Sequence, residues 1–250
     1  MKRWQWITSA ILVYLLALLV FIPAQLIYWL PLPKSISVTG VSGTLWNGEA
    51  TQVVVAGREF RQLQWQLNPA YLVTGELGLE LRLPAFSNPR ISGNLSATLG
   101  MSELSVSELN ARGELAELLA LGQVHLPLAS QGQWRLSISN YQVSAPSLQH
   151  WCDTLRGTGE GRSIQTQVNG RWLQLGTYPV SLSCKQGSVQ LAMNGDNVLG
   201  LQLDADLNAQ RVRLQGSLKP KAAAPIEVRE LLKSMGNPDR EGRYPFNFSL

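Results

Sequence analysis

The chain has 250 residues, 45% hydrophobic and only 15% charged, with Lys+Arg 21 against Asp+Glu 17 and a formal net charge of +4. Such a chain buries a substantial core, and its hydrophobicity excludes a disordered polyelectrolyte. Two of the excess cations, Lys2 and Arg3, stand at the N-terminus, and no dense Lys/Arg block follows. The composition therefore argues against nucleic-acid binding, and equally against collagen-like, coiled-coil and disulfide-framework proteins.

After Arg3 no charged side chain occurs until Lys34, and Ile11 to Leu30 is nearly all apolar. Residues 6–30 are expected to form one transmembrane helix; at the helical rise, Trp6 to Tyr28 spans about 33 Å, close to the bilayer's hydrocarbon thickness. Trp4 and Trp6 stand at one end and Tyr28 and Trp29 at the other, as interfacial aromatic rings would. The flanking positive charge predicts residues 1–5 as a cytoplasmic stub and everything after Lys34 as translocated. A cleaved signal peptide is the alternative. It fits less well, because Ile22-Pro23-Ala24 is a weak small-x-small site and the apolar run continues past it.

Beyond Lys34 the pattern has period two. Leu63, Trp65 and Leu67 alternate with glutamines, and Leu77, Leu79, Leu81 and Leu83 follow. Similar runs hold Ile91, Leu95 and Leu99; Trp134, Leu136 and Ile138; Val180, Leu182 and Cys184; Val189, Leu191 and Met193; Leu199 to Leu207; and Val212, Leu214 and Leu218. One apolar face per short run, bounded by Gly, Pro, Asn or Ser, predicts a mainly β, antiparallel meander. Two helical windows interrupt it. Glu114–Leu121 stops before Gly122, and Ile226–Met235 follows Pro225 and stops before Gly236. Their shared Glu-Leu-Leu pattern suggests an internal duplication, with halves 36–140 and 163–250. The segment from Tyr141 to Arg162, with its glycine-rich Gly157 to Gly161 stretch, is expected to be a loop.

Cys152 and Cys184 have neither redox-motif nor zinc-site spacing. In a translocated domain they read as one disulfide, with two buried free thiols as the alternative.

No catalytic constellation emerges, and no catalytic, cofactor-binding or metal-ligating residues are assigned. His125 and His150 lack a nucleophile or carboxylate arrangement. No Gly-x-Ser-x-Gly elbow occurs, and the glycines at 157–161 fail the dinucleotide fingerprint because Arg162 holds the third position. Asp204 and Asp206 read as a solvated strand face. The expectation is a protein that is not an enzyme.

The segment Gly40 to Ala50, GVSGTLWNGEA, is distinctive, with Leu63 to Pro69, the Trp151-Cys152 and Cys184 pair and Gly242 to Pro245 following in order. With the apolar N-terminus before them, these make the chain resemble the N component of the bacterial type II secretion system, the general secretion pathway protein N family. More distantly it is similar to AsmA-like periplasmic proteins.

The resemblance implies a single-pass inner-membrane protein with its bulk, residues 34–250, in the periplasm. It also implies an accessory role in exporting folded proteins across the outer membrane. The implied partners are other secretion components, the inner-membrane platform or the secretin. Gly43, Trp46 and Gly48 form a candidate docking turn, the glycines for tight backbone geometry and Trp46 to anchor the turn in the sheet. The competing function is a lipid-binding or lipid-transfer module, whose apolar sheet face would curve into an open groove. That face would carry Leu77, Leu79, Leu81, Leu201 and Leu203.

Overall fold

The computed structural model describes residues 3–29, 33, 35–55, 57–85, 90–121, 128–145, 147, 150–208 and 211–249. Helix α1 (Arg3–Val20) is followed by a 3-10 segment, Ala24–Trp29. Six strands come next: β1 (Ile36–Gly43), β2 (Asn47–Val55), β3 (Arg58–Asn68), β4 (Leu77–Leu83), β5 (Ile91–Leu99) and β6 (Glu103–Glu114). Helix α2 (Leu115–Leu121) leads into a second six: β7 (Ser130–Ser144), β8 (Thr154–Val168), β9 (Arg171–Lys185), β10 (Ser188–Asn194), β11 (Gln202–Asn208) and β12 (Arg211–Leu218). Helix α3 (Ile226–Met235) and strand β13 (Tyr244–Ser249) close the order.

The strands form one 13-stranded sheet in strictly sequential order, each pair antiparallel. A pure meander of this kind follows from alternation interrupted by short turns, because neighbours in sequence pair first. The β8–β9 and β9–β10 hairpins turn on two residues each, Asn169-Gly170 and Gln186-Gly187, all four with positive φ. That is the backbone twist a tight hairpin needs. Irregular register near Ser96, Gly132, Ser139 and Arg162 to Ser163 bends the long central strands.

Two clusters of buried side chains lie in the two halves of the sheet, and Ala97, Val143, Cys152 and Leu155 are buried between them. In the C-terminal half, Val228 and Leu232, one turn apart on α3, bury against Val168, Leu175 and Tyr178. Each such side chain contributes about 1.5–3 kcal/mol of transfer free energy. Burial also pushes the Tyr178 hydroxyl up to about 12. In the N-terminal half, Ala24, Val41, Ala50 and Val53 form a smaller cluster, with Leu63 and Trp65 against it.

Three expectations change. The helix foreseen over residues 6–30 is divided, since α1 stops at Val20 and the chain turns at Phe21. Pro23 is the reason: it has no N–H to continue a helix and disfavours helical backbone at the residue before it. Among the described residues no helix is long and apolar enough to cross a membrane. Second, most of the segment 141–162 is strand, with β7 running to Ser144 and β8 starting at Thr154. Third, Leu199 and Leu201 precede β11 instead of lying in it. The two short helices stand where the sequence places them, each after six strands; Gly122 and His125 lie outside the described residues.

Candidate functional site: the anchor junction and the apolar face

In a meander every second connection falls at the same end. The β1–β2, β3–β4, β5–β6 and β7–β8 connections therefore share one end of the sheet, and α2 and α3 occupy the other. The end of α1 is fastened to the first of these turns. The indole N–H of Trp46 donates to the carbonyl of Leu19 at 2.8 Å, satisfying one of the acceptors that a helix C-terminus leaves open. The Leu45 N–H donates to Ile22 O at 2.8 Å, and Pro23 forms a β-bridge with Thr44. Ala24, 1% exposed, then plugs the small N-terminal core.

The turn is built for this contact. Gly43 has φ +89°, and a Cβ there would lie 2.6 Å from Asn47 O. A Cβ on Gly48 would meet the Trp65 ring at 2.5 Å. Trp65 in turn donates from its indole to Leu45 O at 3.0 Å, and the Leu67 N–H donates to Trp46 O at 2.7 Å. So Trp65, more than Trp46, holds the turn to the sheet, while the indole N–H of Trp46 is spent on the chain's own helix. Tyr28 also faces inward in part, its hydroxyl accepting the Val41 N–H at 3.0 Å on the outer edge of β1. Trp29 and Trp6 are exposed. Sequence reasoning did not find Leu19, Pro23 or Ala24; two of the three act through backbone atoms, which leave no side-chain signature.

Along one face the cross-strand register aligns apolar residues from edge to edge. Trp65 lies opposite Leu81, Leu81 opposite Leu95, and Leu95 opposite Leu109, which faces Ile138. On β8 the same face presents Gly157, Gly159 and Gly161 between Ile138, Leu136 and Trp134 on one side and Leu182, Val180 and Tyr178 on the other. The row continues through Leu191, Ala205 and Leu214 to Phe248. The row packs against the N-terminal cluster at Trp65 and against the α3 cluster at Tyr178, but ends on Phe248, which is 51% exposed. Its middle, with Leu77, Leu79, Leu81, Leu95 and Leu109, is only half-buried, whereas Leu201 packs against the α3 cluster.

The disulfide Cys152–Cys184 is formed, and Cys152 is fully buried. It pins the residues between β7 and β8 to the end of β9. Asp153 organises this loop, accepting from the Ser144 N–H at 2.6 Å and lying 2.8 Å from His150 Nε2. The Ser144 N–H and then His150 hold its carboxyl below the usual carboxylate range. His150 is thus a loop residue. Asp204 is exposed and Asp206 half-buried between Gln190 and Arg213 of the flanking strands. Among the described residues no cluster of three metal-ligating side chains occurs.

The family model described as type II secretion system (T2SS), protein N, matches residues 34–247. The type II secretion system protein N of Vibrio cholerae serotype O1 is 29% identical over 239 residues, covering 94% of this chain and 93% of that protein. The protein of the same description from Aeromonas hydrophila is 30% identical over 249 residues, at 94% and 93% coverage, and that from Klebsiella pneumoniae is 29% identical over 251 residues, at 94% and 91%. No solved structure matches the chain.

Proposed function

The chain belongs to the type II secretion system protein N family, and on that premise we propose that it is a non-enzymatic accessory component of the system, seated in the inner membrane. Its apolar N-terminal helix enters the bilayer with Lys2 and Arg3 on the cytoplasmic side, and its sheet domain stands in the periplasm. At 18 residues α1 is about 27 Å long, a few ångströms short of the hydrocarbon core. A local mismatch of that size is met by thinning of the bilayer or by flanking residues at modest cost.

One observation carries the scaffold reading: the two edges of the sheet differ. The β1 edge is engaged by the chain's own 3-10 segment through Tyr28 and Val41. The β13 edge, Tyr244–Ser249, has no strand beyond it among the described residues. An uncovered strand is a template for an added strand from a partner, so another secretion component docks there. Photocrosslinking amino acids placed at Asn247 and Ser249 in cells running the secretion system test this. Adducts to other components support the reading; adducts absent there yet present at Gln52 or Thr177 would move the docking surface elsewhere.

The half-buried middle of the apolar row favours a second reading, a lipid-binding trough compatible with the first. Lipid extracted from the purified protein in stoichiometric amount supports it, and a lipid-free protein with those leucines shielded from solvent quenchers would retire it.

A further inference from the structure

We propose that the rim of the sheet beside the anchor, formed by Tyr71, Leu72 and Val73 of the β3–β4 connection and Met101 of the β5–β6 turn, lies in the interfacial layer of the membrane that α1 enters. This rests on the reading of α1 as the membrane anchor. The four side chains belong to adjacent connections at the end of the sheet that holds the helix. Val73 is 91% exposed and Met101 fully exposed, with Leu72 and Tyr71 near half.

Apolar exposure at a flexible tip would mean little, but the β3–β4 connection is built. Asn68 caps the 3-10 segment Pro69–Thr74 by accepting the Ala70 N–H, and Gly75 closes it in a left-handed conformation. The Tyr71 ring rests on Gly78, where a Cβ would come within 2.7 Å of it. With the ring fixed there, the segment holds Leu72 and Val73 outward. Met101 stands at the tip of a turn closed by the Gly100 N–H on Glu103 O at 2.8 Å.

Neither tip carries a charge: Pro69 to Gly75 and Gly100 to Ser102 are uncharged, and Glu76 and Glu103 come only behind them. At the foot of α1, on this same end of the sheet, Phe21 is 73% exposed and adds a large apolar ring beside the Ile22–Leu45 contact. The other end of the sheet differs. Among the described residues, its exposed large apolar side chains, Val55, Leu118, Trp172 and Ile226, fall on four separate elements.

A lipid surface fits this rim better than a protein groove, because the feature is a set of projecting tips level with a helix end. Tips of this kind bury about 5–10 Å into the headgroup and acyl boundary. Two contacts, helix and rim, fix the tilt of the sheet against the membrane.

The test uses the full-length protein in nanodiscs of phosphatidylethanolamine and phosphatidylglycerol. Single cysteines at Val73→Cys, Met101→Cys, Val13→Cys in α1 and Gln174→Cys on β9 carry an environment-sensitive fluorophore; Cys152 and Cys184, being bonded, stay unlabelled. Spin-labelled lipid is expected to quench the probes at 73, 101 and 13 by about two-fold or more while sparing 174. Quenching at 13 with 73 and 101 as aqueous as 174 overturns the rim contact and leaves the anchor standing. If none of the four is quenched, the anchor reading fails and takes this inference with it.

Discussion

At the residue scale, single side chains tie distant segments together. Trp46 reaches Leu19 across 27 positions of sequence. Trp46→Phe keeps the ring and removes the N–H, so it should lower stability by only about 0.5–1.5 kcal/mol. The hydrogen-exchange protection of Leu45, whose N–H bonds Ile22, should fall with it; unchanged protection would show that the junction does not depend on the indole. The disulfide acts more strongly. Its cysteines are 32 residues apart, and a loop of that length gives about 3.5–4 kcal/mol on the chain-entropy model. Paired Cys152→Ser and Cys184→Ser changes should therefore lower the denaturant midpoint clearly, with urea titration as the measure. Asp153 gives a pH signature. Its carboxyl is depressed in the folded state, so its stabilisation is complete above the ordinary carboxylate range and is lost as pH falls through the lower folded value. Asp153→Asn should thus be less stable than the parent at neutral pH, with the two melting curves converging only once the pH falls below the depressed folded value. A constant gap down to that pH would remove the charge from the account.

At the element scale, β8 shows how packing can hide a strand. Across its middle, between Leu155 and Ile164, the apolar-side positions are Gly157, Gly159 and Gly161, so the alternation there is present without a hydrophobic residue to mark it, and glycines between Thr and Glu read as loop. The reason is spatial, since the space over β8 belongs to the side chains of β7 and β9. A Cβ on Gly157 would lie 3.1 Å from both Ile138 Cγ1 and Ser137 O. Gly157→Val should then destabilise by about 1–3 kcal/mol despite the better β-propensity of valine, a comparison that thermal melting settles. The strands with leucine alternation, such as β4, and both short helices were legible, because burial on one face imposes a period that the sequence displays. The helix break after Val20 was readable in principle from Pro23, but an unbroken apolar run outweighed one residue. Nothing in the sequence tells that Pro23 would pair with Thr44, since that contact is made by backbone. Six strands before each helix is the pattern a duplication would leave.

At the scale of the whole molecule, a sheet of thirteen strands, about 58 Å from edge to edge at the usual strand spacing, has buried clusters at two places, further buried side chains at Ala97, Val143, Cys152 and Leu155, and between them leucines such as Leu81 and Leu95 that are only half-buried. Composition alone does not distinguish an uncovered apolar strip from a closed core, because alternation records which face is apolar and not what lies over it. Stability distinguishes them. Leu232, on the inner face of α3 and only 7% exposed, packs into the cluster of Val168 and Tyr178, so Leu232→Arg places an unpaired charge there and should cost upwards of about 4 kcal/mol. Leu81 sits mid-strip between Trp65 and Leu95, half-buried and outside the cluster under α3. An arginine there lays its methylenes along the neighbouring leucines and lifts its guanidinium into the open trough, so Leu81→Arg should cost about 1 kcal/mol or less. Urea midpoints for the two variants, read side by side, decide it. A wide separation means an accessible strip, whose loss of bound lipid in Leu81→Arg then reports on function without confusion from unfolding. Equal, large losses would mean that the sheet closes over Leu81, that the strip is an ordinary core, and that only the edge and the rim remain for binding.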